Sequence, residues 1–92
     1  MQDIEELSNS LKALSDPTRL KIITMLRKRE CMLCVNAISF QLGITQSAVS
    51  QHLKILKQAR LVRSERKGYH VHYSIEKENV MKVCTSLLEK IN

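Results

Sequence analysis

A mainly α fold with one β-hairpin is predicted for this chain by three observations. Apolar residues recur at helical spacing along most of its length, the period changes to two over a short stretch after position 68, and only two Gly and one Pro interrupt 92 residues. A chain of this length holds one core, so a single domain over residues 1–92 is expected, and its 43% hydrophobic and 26% charged residues match an ordinary globular composition.

Ile4, Leu7, Leu11 and Leu14 mark a first amphipathic helix. Asp16-Pro17 starts the next: Asp16 can cap free backbone N–H groups and Pro17 supplies a fixed φ at the first helical position. Leu20, Ile23 and Leu26 give that helix an apolar stripe, and Arg27, Lys28 and Arg29 complement the negative end of its dipole. After a junction containing cysteines, Val35 to Leu42 reads as a short helix stopped by Gly43. Thr45 then caps a helix whose apolar positions are Val49, Leu53 and Leu56. Val71, Tyr73 and Ile75 alternate with His70, His72 and Ser74, and with the turn at Lys67-Gly68 and the β-compatible Leu61-Val62 they make the hairpin. From Glu76 to Ile91 helical spacing returns through Val80, Val83, Leu87 and Ile91, with Leu88 widening the stripe beyond what a small monomer need bury.

Fifteen Lys and Arg against nine Asp and Glu leave a formal charge of +6, which favours a polyanionic partner. The charge is uneven. No charged residue falls between positions 35 and 50, whereas Lys54, Lys57, Arg60, Arg63, Arg66 and Lys67 stand against Glu65 alone between 51 and 68. With only Phe40, Tyr69 and Tyr73 as aromatics, the stacking surface of single-strand binders is missing, so double-stranded DNA is the expected partner. No stretch approaches the roughly 20 apolar residues of a membrane span, and the acidic start lacks the basic character of a signal peptide. A cytoplasmic protein with no membrane partner is expected. An enzyme is not: there is no phosphate-cradling Gly-rich loop, no paired acidic motif, and no nucleophile with an evident base.

A short helix, a turn at Gly43, and a helix rich in small polar side chains form a helix-turn-helix pattern, in which the second helix enters the major groove. Gln46, Ser47, Ser50 and Gln51 occupy the first turns of that helix, where short hydrogen-bonding side chains let the backbone approach base edges. His52 lies on the same helix and is read as a DNA contact, while Lys54 and Lys57 can neutralise phosphates. Arg63, Arg66, Lys67 and Tyr69 are placed around the hairpin tip, as a wing would carry them.

The run Leu42-Gly43-Ile44-Thr45-Gln46-Ser47-Ala48-Val49-Ser50-Gln51-His52-Leu53-Lys54, followed by Leu61-Val62 and Gly68-Tyr69-His70-Val71-His72-Tyr73-Ser74-Ile75, resembles the ArsR family of winged-helix repressors. Asp16-Pro17-Thr18-Arg19-Leu20 is similar to that family's start of the second helix. The resemblance implies a winged helix-turn-helix that is a homodimer through its first and last helices. Such a dimer would hold an imperfect inverted repeat over a promoter and leave it when an effector arrives. It puts the family's DNA contacts on Gln46, Ser47, Ser50 and Gln51, with the wing at Arg66 and Lys67.

Leu33-Cys34-Val35-Asn36-Ala37-Ile38 is similar to the family's metal box, Leu-Cys-Val-Cys-Asp-Leu, except that Asn36 stands where the second cysteine belongs. Cys31, three residues before Cys34, offers a second thiolate for a soft ion or a reversible disulfide. The implied effector is arsenite, antimonite, cadmium or lead, with an oxidant or reactive sulfur species as the rival and a ligand-independent regulator as the further alternative. Cys84 reads first as a small core hydrophobe beside Val80, Leu87 and Leu88, and as a third thiol only if the fold brings the last helix to the junction. His70 and His72 read as a polar hairpin face. The family's Asp and His sensor on the final helix is not matched, since Lys77, Asn79 and Lys90 stand at those positions.

Overall fold

The computed structural model describes residues 3–29 and 33–92. Among the described residues, five helices and a three-stranded sheet follow in the order α1 (Ile4–Leu14), α2 (Pro17–Arg29), β1 (Leu33–Cys34), α3 (Val35–Leu42), α4 (Gln46–Gln58), β2 (Val62–Lys67), β3 (His70–Ile75) and α5 (Lys77–Ile91). The mainly α fold with a β-hairpin is therefore as expected from periodicity. The addition is β1, two residues long and too short to carry any period.

Helix starts follow their capping chemistry. The Asp3 carboxylate accepts from the Glu6 N–H at 2.8 Å, Asp16 accepts from the Arg19 N–H at 3.0 Å, and the Thr45 hydroxyl accepts from the Ala48 N–H at 3.1 Å. At the far end of α4, Arg60 takes a left-handed φ of 61°. Its N–H donates to Lys57 O and the Leu61 N–H donates to Leu56 O, each at 2.9 Å, which satisfies carbonyls the helix would leave open. Asn79 then donates to Arg60 O at 2.8 Å, tying the start of α5 to this corner.

The sheet order is β1-β3-β2, antiparallel throughout. Lys67 pairs with His70 across a two-residue loop whose first position, Gly68, has φ +65°, a conformation that costs glycine little. The sheet joins the helices through one core built on Ile22, Leu26, Ile38, Val49, Leu53, Leu56, Leu61 and Val83. The stripe expected on α2 is turned. Ile22 is fully buried with Ile23 and Leu26, whereas Leu20 is 48% exposed, because α2 meets α4 and the sheet on two sides rather than lying on one surface.

On the outer helices the expected stripes hold in part: Leu11, Leu14 and Val80 pack against the core, whereas Ile4, Leu87 and Ile91 are exposed. On α1 the buried residues are Leu7, Ser10 and Ala13, and on α5 they are Val83 and Ser86. Cys84 is exposed, which corrects its reading as a core hydrophobe: Val83 takes the inward position, and one residue further rotates a side chain about 100° around the helix. It lies in an outward row with Met81, Leu88 and Ile91.

Candidate nucleic-acid interface

The connection from α3 to α4 is fixed by backbone chemistry. Gly43 sits at φ +67°, ψ 32°, its N–H donating to Ser39 O at 2.9 Å. The Ile44 N–H donates to the same carbonyl at 3.3 Å, and the Ser39 hydroxyl donates to Ile44 O. This turn sets the angle at which α4 leaves α3.

On α4, Val49, Leu53 and Leu56 are fully buried and anchor the helix to the core. Gln46, Ser47, Ser50, Gln51, Lys54 and Lys57 are all exposed, and at 100° per residue they share one outward face. Short polar side chains at the N-terminal end and cations farther along suit base edges and phosphates respectively. His52, grouped with them in the sequence, does not share that face. About 160° of helical rotation separates it from Lys54 on α4 and turns it toward α2.

There His52 joins a junction of three helices. Its Nδ1 lies 3.2 Å from Arg19 Nη1 and 3.8 Å from Asp16 Oδ2. The same guanidinium donates through Nε to Ala13 O at 2.6 Å and through Nη2 to Lys12 O at 3.4 Å, closing the C-terminal end of α1. The Arg19 N–H, then the charges of Arg19 and His52 with a further Thr18 N–H, hold the Asp16 carboxyl below the ordinary carboxylate value against an opposing effect of burial. Arg19 was legible only as part of the Asp16-Pro17-Thr18-Arg19 motif, because its partners lie on elements distant in sequence.

On the hairpin, Arg66 and Lys67 are exposed beside a tip where Tyr69 is 98% exposed. Arg63 is not at the tip. It pairs with Ser74 near the root of the hairpin, and its Nη1 donates to the Glu76 carboxylate and to Ile75 O.

Cys34 is half-buried and free, at the N-cap of α3, with its Cα register partner His72 on β3. His72 stacks on His70 with ring centroids 6.4 Å apart. Cys31 lies outside the described residues. Among the described residues, no three His, Cys, Asp or Glu side chains are gathered to hold a metal ion. Asn36, at the departure from the metal box, accepts a hydrogen bond from Gln46 Nε2 at 2.8 Å. Periodicity cannot reveal that bond, since it crosses between helices, although the unexpected residue type marks the position.

A helix-turn-helix anchored in the core, followed by a basic hairpin, defines a winged helix-turn-helix DNA-binding regulator. Residues 16–64 match the model of the bacterial regulatory protein, arsR family. The chain is 34% identical over 91 residues to the transcriptional repressor SmtB homolog of Synechocystis sp., covering 99% of this chain and 67% of that protein. An ArsR-like transcriptional regulator from Rhodococcus sp. superposes with a TM-score of 0.81 at 30% identity, covering 95% of this chain and 79% of that one. The homodimeric winged helix-turn-helix DNA-binding domain of a possible ArsR-family regulator from Mycobacterium bovis gives 0.77 at 27% identity, over 96% and 79% of the two chains. The chain belongs to the ArsR family. Among the described residues no helix is long and apolar enough to cross a membrane.

Proposed function

We propose that this regulator is a repressor that holds an inverted repeat in its promoter as a homodimer and releases it when a thiophilic ion is taken up by Cys31 and Cys34. The observation that carries the reading is the position of Cys34. It stands at the N-cap position of α3, the first helix of the helix-turn-helix, and pairs in register with His72 on the wing strand. An ion drawing on this thiol therefore acts on both parts that face DNA. Gln46, Ser47, Ser50, Gln51 and Lys54 serve as the groove-facing contacts, Arg66 and Lys67 as the wing contacts, and His52 as a support behind the helix.

Dimerisation is supported by an apolar surface that one chain leaves open. Met81, Leu88 and Ile91 on α5 are 58%, 56% and 71% exposed, and Ile4 on the adjoining α1 is 63% exposed. A two-fold axis through these helices would give the dimer the symmetry of a palindromic site, whose half-sites lie roughly 34 Å, or a multiple of that, apart. Release follows from linkage. An effector that favours the DNA-free arrangement by about 1–3 kcal/mol lowers affinity about 5- to 150-fold.

The test is fluorescence anisotropy of the reduced protein on its own promoter duplex, with arsenite titrated into the preformed complex. Formation of the complex and its release by arsenite are expected, with release lost in Cys31→Ser/Cys34→Ser. Equal affinity for a scrambled duplex would sink the DNA reading. A complex unaffected by arsenite, antimonite, cadmium and lead would sink the soft-ion reading alone.

A further inference from the structure

We propose that Asn36 is a positioning residue for base readout, holding the Gln46 side chain in the pose that recognises one adenine in the major groove. The inference deepens the proposed DNA contact by α4 and rests on it. Gln46 is the first residue of α4 and Asn36 lies in the first turn of α3, and both are exposed. The 2.8 Å bond from Gln46 Nε2 to Asn36 Oδ1 is therefore made on the outer surface, at the end of the recognition helix that approaches the bases.

A glutamine amide carries two N–H donors and one carbonyl acceptor. Asn36 takes one N–H. The remaining N–H and Oε1 form the donor and acceptor pair that matches adenine N7 and N6. The bond also fixes which way round the amide faces. Free to flip, the same side chain would offer a mixture of donor and acceptor patterns, and its discrimination between bases would fall. The residue type fits this use: asparagine has an acceptor of the right reach at the position where the family's metal box has cysteine. That departure thus has a role of its own at the DNA surface, separate from the thiol of Cys34.

The experiment uses the full chain and its own promoter duplex, narrowed by footprinting to one inverted repeat. Each half-site adenine is replaced in turn by 7-deazaadenine, which removes N7 and leaves base pairing intact. The wild-type protein is expected to lose affinity roughly 2- to 13-fold at one symmetry-related adenine, the range of the single hydrogen bond to N7 that the replacement removes. Gln46→Ala should be insensitive to that replacement, which assigns the contact. Asn36→Leu should lose most of the sensitivity, whereas Asn36→Asp, which keeps the acceptor, should retain it. The added negative charge in Asn36→Asp weakens binding to every duplex alike and cancels from the ratio. Matching thermal melts for the exposed substitutions separate readout from folding.

If Asn36→Leu shows wild-type sensitivity at the adenine that Gln46 reads, the positioning role is wrong while the DNA contact stands. If no adenine N7 depends on Gln46, the assignment of its ligand is wrong. If the wild-type protein does not prefer its operator to a scrambled duplex, the underlying DNA reading fails and this proposal fails with it.

Discussion

Gly43→Ala tests the turn between α3 and α4 with a cost that can be worked out from the structure. Gly43 has φ +67° and ψ 32°, so an L side chain there enters the left-handed region at about 1–2 kcal/mol. A Cβ built on Gly43 meets nothing within 4 Å, and no steric contribution adds to that figure. Alanine also narrows the freedom of the unfolded chain, which returns about 0.4–1 kcal/mol. The net expectation is a loss of about 1 kcal/mol, or about 4–8 °C in Tm for a domain of this size. Urea unfolding and thermal melts should be run at one fixed protomer concentration, because dimer assembly links stability to concentration. The urea m-value should not change, since the surface exposed on unfolding is the same. Gly43→Asn should recover much of the loss, asparagine being more tolerant of this conformation. A loss above about 3 kcal/mol with no recovery by asparagine would mean that a side chain does collide there and the turn is built differently. A clear gain in stability would mean that the backbone is not left-handed.

Arg60 presents the reverse case, a bulky residue held at φ 61°, so Arg60→Gly should stabilise by about 0.5–1 kcal/mol in the same unfolding assay; a loss of stability would show that the arginine side chain contributes more than its backbone costs. Asp16→Asn keeps a capping oxygen and removes the charge. Because the folded carboxyl titrates below its ordinary value, its contribution is present above the unfolded pKa and is lost as pH falls through the folded one. Stability curves of wild type and Asp16→Asn should therefore differ at neutral pH and converge in acid, and parallel curves would remove the charge of Asp16 from the three-helix junction. Lys67→Ala should lower the slope of log affinity against log salt by about 0.9 per protomer and weaken operator and scrambled duplex alike, as a phosphate contact does. An unchanged slope would take Lys67 off the DNA backbone.

Much of the architecture was legible in the sequence because its determinants are local. A carboxylate or hydroxyl three residues ahead of a free N–H makes a cap wherever it stands, which is why Asp16 and Thr45 marked the starts of α2 and α4 correctly. Gly43 likewise ended α3 through its own backbone preference, and alternation after Gly68 gave the hairpin. The exposed polar face of α4 was readable for the same reason, since Gln46, Ser50 and Lys54 are related only by the helical repeat.

Tertiary packing decided the rest. Which side of a helix is inside depends on what lies against it, so Ile22 replaced Leu20 in the core and Cys84 came to the surface. His52 sits on the recognition helix in sequence, yet the rotation that buries Leu53 and Leu56 turns its ring to Arg19 and Asp16. Arg63 belongs to the basic run, yet the strand register carries it to the hairpin root and to Glu76. The bond from Gln46 to Asn36 and the pairing of Cys34 with His72 join segments 10 and 38 residues apart in the chain. From the sequence alone come the helices, the wing and the polar face of α4; the inward sides of the other helices and the partners across helices and strands come only when burial of one shared core fixes how those elements are turned.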